Sequence, residues 1–84
     1  MKLFIKNIEG SINEVSLEGL FAMYGKVVNT KIVYDKITWE SKGFGFIEMQ
    51  TKEEGEKAIA ALNGKEIRGK ALSVEEADEK KRRF

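Results

Sequence analysis

Lys42-Gly43-Phe44-Gly45-Phe46-Ile47-Glu48-Met49 carries two phenylalanines at alternate positions, with glycines between and before them. On an extended strand successive side chains leave opposite faces, so both rings stand on the same one. Lys42 has their parity. Ile47 and Met49 share the parity of Gly43 and Gly45, which makes the other face fit for a core. Two large rings beside a cation give an exposed surface little stability of its own. A flat, anionic ligand suits such a surface, and bases on a phosphate backbone have that form.

The segments on either side repeat the two-faced pattern. Lys2 to Asn7 reads as a strand in which Leu3 and Ile5 alternate with Lys2, Phe4 and Lys6. With the aliphatics inward, Phe4 and Lys6 stand on the open face; the plainer reading of Phe4 is a single exposed aromatic. Val27 to Tyr34 is a β-branched strand with Thr30 and Ile32 inward and Lys31 and Val33 on the open face. Ala71 to Glu75 is the last strand, Leu72 and Val74 inward, Ser73 and Glu75 outward beside Phe4.

Two helices separate these strands. Asn13 is the expected N-cap of the first, which runs to Tyr24 with Gly25 as its stop. Leu17, Leu20, Phe21 and Tyr24 form its inner stripe. Val15, Gly19 and Ala22 gather on the opposite face, either as a tolerated weakly polar surface or as a site of close approach for another chain. Thr51-Lys52-Glu53-Glu54 has the form of a capping box opening the second helix, which ends at Leu62 before Asn63-Gly64. Gly55, Ala58, Ile59 and Leu62 share its inner face. Lys65 to Lys70 reads as a short hairpin with Ile67 inward and Gly69 at the turn.

Composition narrows the chemistry. The 84 residues suit one small domain, which buries only about 60–65% of its unfolded surface. The chain has no cysteine and no histidine, so it lacks the thiolate, the commonest general base and the commonest metal ligand. No metal site, cofactor or small-molecule substrate is expected. Glu53, Glu54 and Glu56 look like a solvated helix face, and catalysis is not expected. No apolar run reaches membrane-spanning length and no signal-peptide pattern opens the chain, so the default expectation is a cytoplasmic protein. A net charge of +1 means that attraction for a polyanion must come from lysines placed locally.

The octamer resembles the signature of the RNA-recognition motif family, Lys/Arg-Gly-Phe/Tyr-Gly/Ala-Phe-Val-x-Phe/Tyr. Seven of eight positions fit, allowing Ile47 for Val; Met49 replaces an aromatic on the core-facing parity. Leu3-Phe4-Ile5-Lys6-Asn7-Ile8 matches the family's second, six-residue signature, in the right order and about 40 residues upstream. The resemblance covers about residues 2 to 77. It implies an α+β, ferredoxin-like βαββαβ fold, with a four-stranded antiparallel sheet in the order 4-1-3-2 and both helices on one face. Residues 1–77 would form the domain and 78–84, ending Lys80-Lys81-Arg82-Arg83-Phe84, a basic flexible tail that sweeps over the ligand. A free-standing copy of this kind looks more like the short RNA-binding proteins of bacteria than like multi-copy eukaryotic ones.

By resemblance the ligand is single-stranded RNA, with single-stranded DNA as a second candidate. Phe4 would stack under a 5′ base, Phe46 under a 3′ base, and Phe44 would insert between the riboses. Lys42 would neutralise the linking phosphate, and Lys6, Lys31, Ser73 and Glu75 would line the sheet. Backbone groups near Glu76 and Ala77 would read base edges. Related domains commonly have Thr-Gly where this chain has Thr38-Trp39, and usually have Ala in place of Gly55, which should leave a small gap. Three readings of Trp39 stand open: stacking on a base, forming an apolar patch with Ile37 for a protein partner, or folding back on its own domain. The competing function is a protein-binding or self-associating module using Val15, Gly19, Ala22 and the Ile37/Trp39 loop.

Overall fold

Asn13 and Thr51 set the helix starts by the same device. Asn13 Oδ1 accepts from the Ser16 N–H at 2.8 Å, and Thr51 Oγ1 accepts from the Glu54 N–H at 3.1 Å. In the computed structural model, which describes residues 1–77, these caps open α1 (Glu14–Ala22) and α2 (Lys52–Leu62). The strands are β1 (Lys2–Lys6), β2 (Val27–Tyr34), β3 (Ser41–Met49), the small hairpin β4 (Glu66–Ile67) and β5 (Lys70–Ala71), and β6 (Ser73–Glu76). The basic tail expected at 78–84 lies outside the described residues.

The main sheet is antiparallel with the order β2-β3-β1-β6, which is the expected 4-1-3-2 arrangement with β6 as its fourth strand. The two signature segments therefore lie side by side, with Phe4 opposite Phe46 and Lys6 opposite Phe44. Leu3, Ile5, Ile32, Ile47, Met49 and Val74 turn to the helices and meet Leu17, Phe21, Ala58 and Leu62. Met49 is buried there, as its parity requires. Among the described residues no polar side chain is buried in this core, and no helix is long and apolar enough to cross a membrane.

Two glycines of β3 set its approach to its neighbours. A Cβ on Gly45 would lie 2.2 Å from the Lys31 carbonyl oxygen and 3.0 Å from the Ile32 Cα, both main-chain atoms of β2. Gly43 has φ +85°, and its carbonyl accepts from the Ile8 N–H at 2.8 Å. Beside it Asn7 is also left-handed, at φ 61°, and its side chain donates to the Ala71 carbonyl at 2.8 Å. The Asn of the shorter signature thus fastens the end of β1 to the hairpin before β6.

Several local expectations are corrected. Helix α1 stops at Ala22, with Met23 as its cap, and Tyr24 closes a final turn by donating to the Phe21 carbonyl. Gly25 is not the left-handed stop; a Cβ there would strike the Glu54 side chain, so the glycine makes room. Glu54 packs into that room, with Oε1 buried and without a hydrogen-bond partner, so the reciprocal half of the capping box is not made. Gly55 leaves no gap, because the Met1 side chain covers it while Met1 and Met49 exchange main-chain bonds of 2.7 and 2.8 Å. Ala71 belongs to the small hairpin, so the last strand of the main sheet begins at Ser73. Arg68 and Gly69, at φ 53° and 89°, make the turn between β4 and β5.

The outer strands have side-chain answers for main-chain donors. On β2, Asn29 Oδ1 accepts from the Thr30 N–H at 3.0 Å and Glu14 Oε2 from the Ile32 N–H at 2.9 Å. On β6, Asn63 Oδ1 accepts from the Val74 N–H at 3.0 Å.

Gly45→Ala should lower unfolding free energy by about 2–3 kcal/mol in urea titration, because main chain of β2 stands in the way and must move. Gly19→Ala, where a Cβ meets nothing within 4 Å, should raise it by about 0.5–1 kcal/mol.

Candidate nucleic-acid interface

The helices cover one face of the sheet, and the other face collects the aromatic residues. Phe4 and Phe46 are stacked with centroids 5.1 Å apart and planes at 28°, while Phe4 and Phe44 meet edge to face at 6.0 Å. All three rings are only half-buried. Contacts of this kind contribute about 0.5–1.5 kcal/mol each beyond area burial, so the rings hold one another in place.

Cations surround the rings. Lys6 Nζ lies 5.7 Å from the Phe4 ring centroid and 3.7 Å from Glu75 Oε1. Glu75 is the cross-strand partner of Phe4, and Ser73 that of Lys6. Lys42, Phe44, Phe4 and Lys6 line an open hollow of about 330 Å³, together with Asn7 and Lys70. A second hollow of about 140 Å³ lies beside Phe46, between Lys2, Lys31, Asn29 and Glu48. The structure thus brings Phe4, Phe44, Phe46, Lys6, Lys31, Lys42, Ser73 and Glu75 onto one surface. Lys70, Asn7, Lys2, Asn29 and Glu48 were not among the residues singled out from sequence. The parity of Lys2 was a usable signal; Lys70 reaches the hollow from the small hairpin, whose position no alternation pattern encodes.

Trp39 stands apart from both hollows. It occupies the turn between β2 and β3 with φ 62°, and its side chain is 74% exposed beside Ile37 at 89%. The reading in which Trp39 folds back on its own domain is therefore excluded. A left-handed backbone costs a non-glycine residue roughly 1–2 kcal/mol, so the chain carries strain at Trp39, where glycine was the residue expected from the resemblance. Asp35 holds the turn together. Its Oδ1 accepts from the Ile37 and Thr38 N–H groups at 2.8 and 3.0 Å, and its carbonyl accepts from the Trp39 N–H at 2.8 Å. The bond from Thr38, then that from Ile37, holds the Asp35 carboxyl below its ordinary 3.8, and the charge of Lys42 acts in the same direction.

Among the described residues no three His, Cys, Asp or Glu side chains gather where they could hold a metal ion. The opposite stripe of α1 is open to solvent, with Val15 79% exposed and Gly19 and Ala22 beside it.

Residues 3–73 match the family model described as RNA recognition motif. The chain is 46% identical over 74 residues, 88% of its length, to the chloroplastic 29 kDa ribonucleoprotein B of Nicotiana sylvestris, and spans 25% of that relative. Among solved structures it superposes on a crystal structure of RNA binding protein PG1 with TM-score 0.88 and 35% identity, over 92% of this chain and 93% of that one. It also superposes on an Sxl-lethal protein/RNA complex with TM-score 0.87 and 33% identity, over 90% of this chain and 47% of that one. The matched ribonucleoproteins of Arabidopsis thaliana and Spinacia oleracea are chloroplastic as well. These relatives overturn the expectation of a cytoplasmic protein, which rested on nothing more than missing membrane and export signals.

Trp39→Gly should raise unfolding free energy by about 1 kcal/mol in urea titration, through relief of the left-handed backbone. The turn should also titrate. Since the folded pKa of Asp35 lies below its unfolded value, the carboxylate's contribution is complete above pH 3.8 and is lost as pH falls through the folded value. Emission from Trp39, the chain's single tryptophan, should report that step, and Asp35→Asn should abolish it.

Proposed function

The chain belongs to the RNA recognition motif family, and from that membership we propose that it binds single-stranded RNA on the open face of its sheet. The carrying observation is the cluster of Phe4, Phe44 and Phe46, half-exposed, mutually braced and bordered by lysines. Rings in that state offer flat apolar surface that a base can cover, and each stacked base contributes about 1–3 kcal/mol. A duplex hides those base faces, so unpaired strands are the ligand the surface suits.

In this reading Phe4 and Phe46 stack successive bases, Phe44 meets the riboses between them, and Lys42 meets the linking phosphate. Lys6, Lys31, Ser73 and Glu75 contact base edges and backbone, and Lys70 adds a cation at the Phe4 end. Trp39 extends the stacking surface; its exposure and strained backbone support a role outside fold stability. Ribose contacts beside Phe44 favour RNA over single-stranded DNA. The domain is taken as residues 1–77, and its activity as binding without turnover. The chain spans about a quarter of the matched ribonucleoprotein's length. Sedimentation across concentrations, with and without Trp39→Gly, tests self-association through the α1 stripe and the turn.

Two stacked bases and a few phosphate contacts correspond to affinity of about micromolar or weaker. Fluorescence anisotropy with a random single-stranded RNA pool should give binding that weakens with salt, at a logarithmic slope of about −2 if three lysines each meet one phosphate. Phe44→Ala/Phe46→Ala should stay folded by circular dichroism and lose at least about tenfold in affinity, as removal of two stacking rings requires. Equal binding by the two proteins would sink the assignment to the sheet.

A further inference from the structure

Glu75 is out of place on a surface meant for a polyanion. It sits directly across from Phe4 in the β1–β6 ladder, 3.7 Å from Lys6 Nζ, and both side chains are about half exposed. An exposed pair of this kind contributes little to folding, so stability does not explain a carboxylate beside the ring. It also offsets the charge of the lysine nearest Phe4. Its presence is accounted for if it discriminates between bases instead of adding affinity.

The pair presents complementary chemistry at one margin of the Phe4 ring. An ionised carboxylate only accepts hydrogen bonds, at two oxygens, while a lysine ammonium only donates. A base stacked on Phe4 with its Watson–Crick edge toward β6 would meet both. Guanine offers adjacent N1–H and N2–H donors for the two carboxylate oxygens, and O6 as acceptor for Lys6. Adenine and cytosine each offer one amino donor next to a ring-nitrogen acceptor. Uracil offers one N3–H between two carbonyls, which the carboxylate repels.

The resident ion pair adds a second feature. Lys6 Nζ lies over the Phe4 ring at 5.7 Å, so it occupies part of the space that a stacked base needs. Entry of a base moves the ammonium off the ring toward the base edge and breaks its pairing with Glu75. A base that donates to Glu75 replaces the lost partner; one that presents carbonyls does not. The penalty for a wrong base thus arises from an acceptor left unpaired in the complex.

We infer that Glu75, with Lys6, makes the subsite on Phe4 selective for guanine and against uracil. The inference rests on the sheet-binding reading proposed above. Anisotropy with the full chain and fluorescein-labelled seven-nucleotide RNAs tests it, comparing all-uridine RNA with the same RNA carrying one central G, A or C. The single-G RNA should bind about tenfold tighter than the all-uridine one, as a bidentate base contact allows. Glu75→Gln should bind all-uridine RNA more tightly, because the carboxylate that repels uracil carbonyls is gone, lose the preference for guanine and gain on adenine, whose Watson–Crick edge, N6–H and N1, pairs with a carboxamide. Binding of all-uridine RNA that requires Phe44 and Phe46, with no preference for the single-G RNA, would overturn this inference alone. A guanine preference that survives Glu75→Gln and vanishes in Glu48→Gln would overturn it as well. Absence of binding to any of the RNAs would overturn the sheet reading and this inference together.

Discussion

The close approach of β3 to β2 at Gly45 is the constraint that the sheet depends on. The main chain of β2 lies where any side chain at Gly45 would have to go. With that approach made, β3 is hydrogen-bonded on both flanks and becomes central, beside β1. Its odd-numbered residues then face the helices and its even-numbered ones do not. Because both helices lie on one side, the even-numbered Phe44 and Phe46 pack against Phe4 on the uncovered face. The site is therefore a by-product of where the helices are absent, and its position is fixed by a residue without a side chain.

Preorganisation follows from the same arrangement. Phe4 stacks on Phe46 and meets Phe44 edge to face, with both partners held in the register of the β1–β3 ladder. A ligand meeting these rings does not have to order them first, which lowers the entropic cost of association. The lysines differ: they stand on flexible stems around rigid rings, so they can follow a backbone of varied path. The rings are therefore rigid and the cations around them free to adjust.

Much of this was legible in the alternation of the strands. Phe4, Phe44 and Phe46 fall on one face by parity alone, and Asn13 and Thr51 mark the helix starts by residue type. What could not be read depends on segments that meet only in three dimensions. Met1 fills the space over Gly55 from the start of the chain, and Gly25 has no side chain where Glu54 of α2 packs. Lys70 joins the Phe4 hollow because Asn7 fastens its hairpin there through a bond across 64 residues. The left-handed Trp39 was legible only as the loss of an expected glycine. The compartment was not legible at all, since no residue of a folded binding face depends on it.

The margins of the sheet carry a consequence for behaviour at high concentration. A half-exposed aromatic face makes a domain prone to meet its neighbours, and an open β edge would let such a meeting propagate, strand upon strand, into an aggregate. Here Asn29 and Glu14 occupy donors of β2, and Asn63 occupies one of β6. An incoming strand would have to break these bonds before making its own. Two domains that collide through their rings can separate again, and a sticky surface is kept from becoming the seed of a fibre.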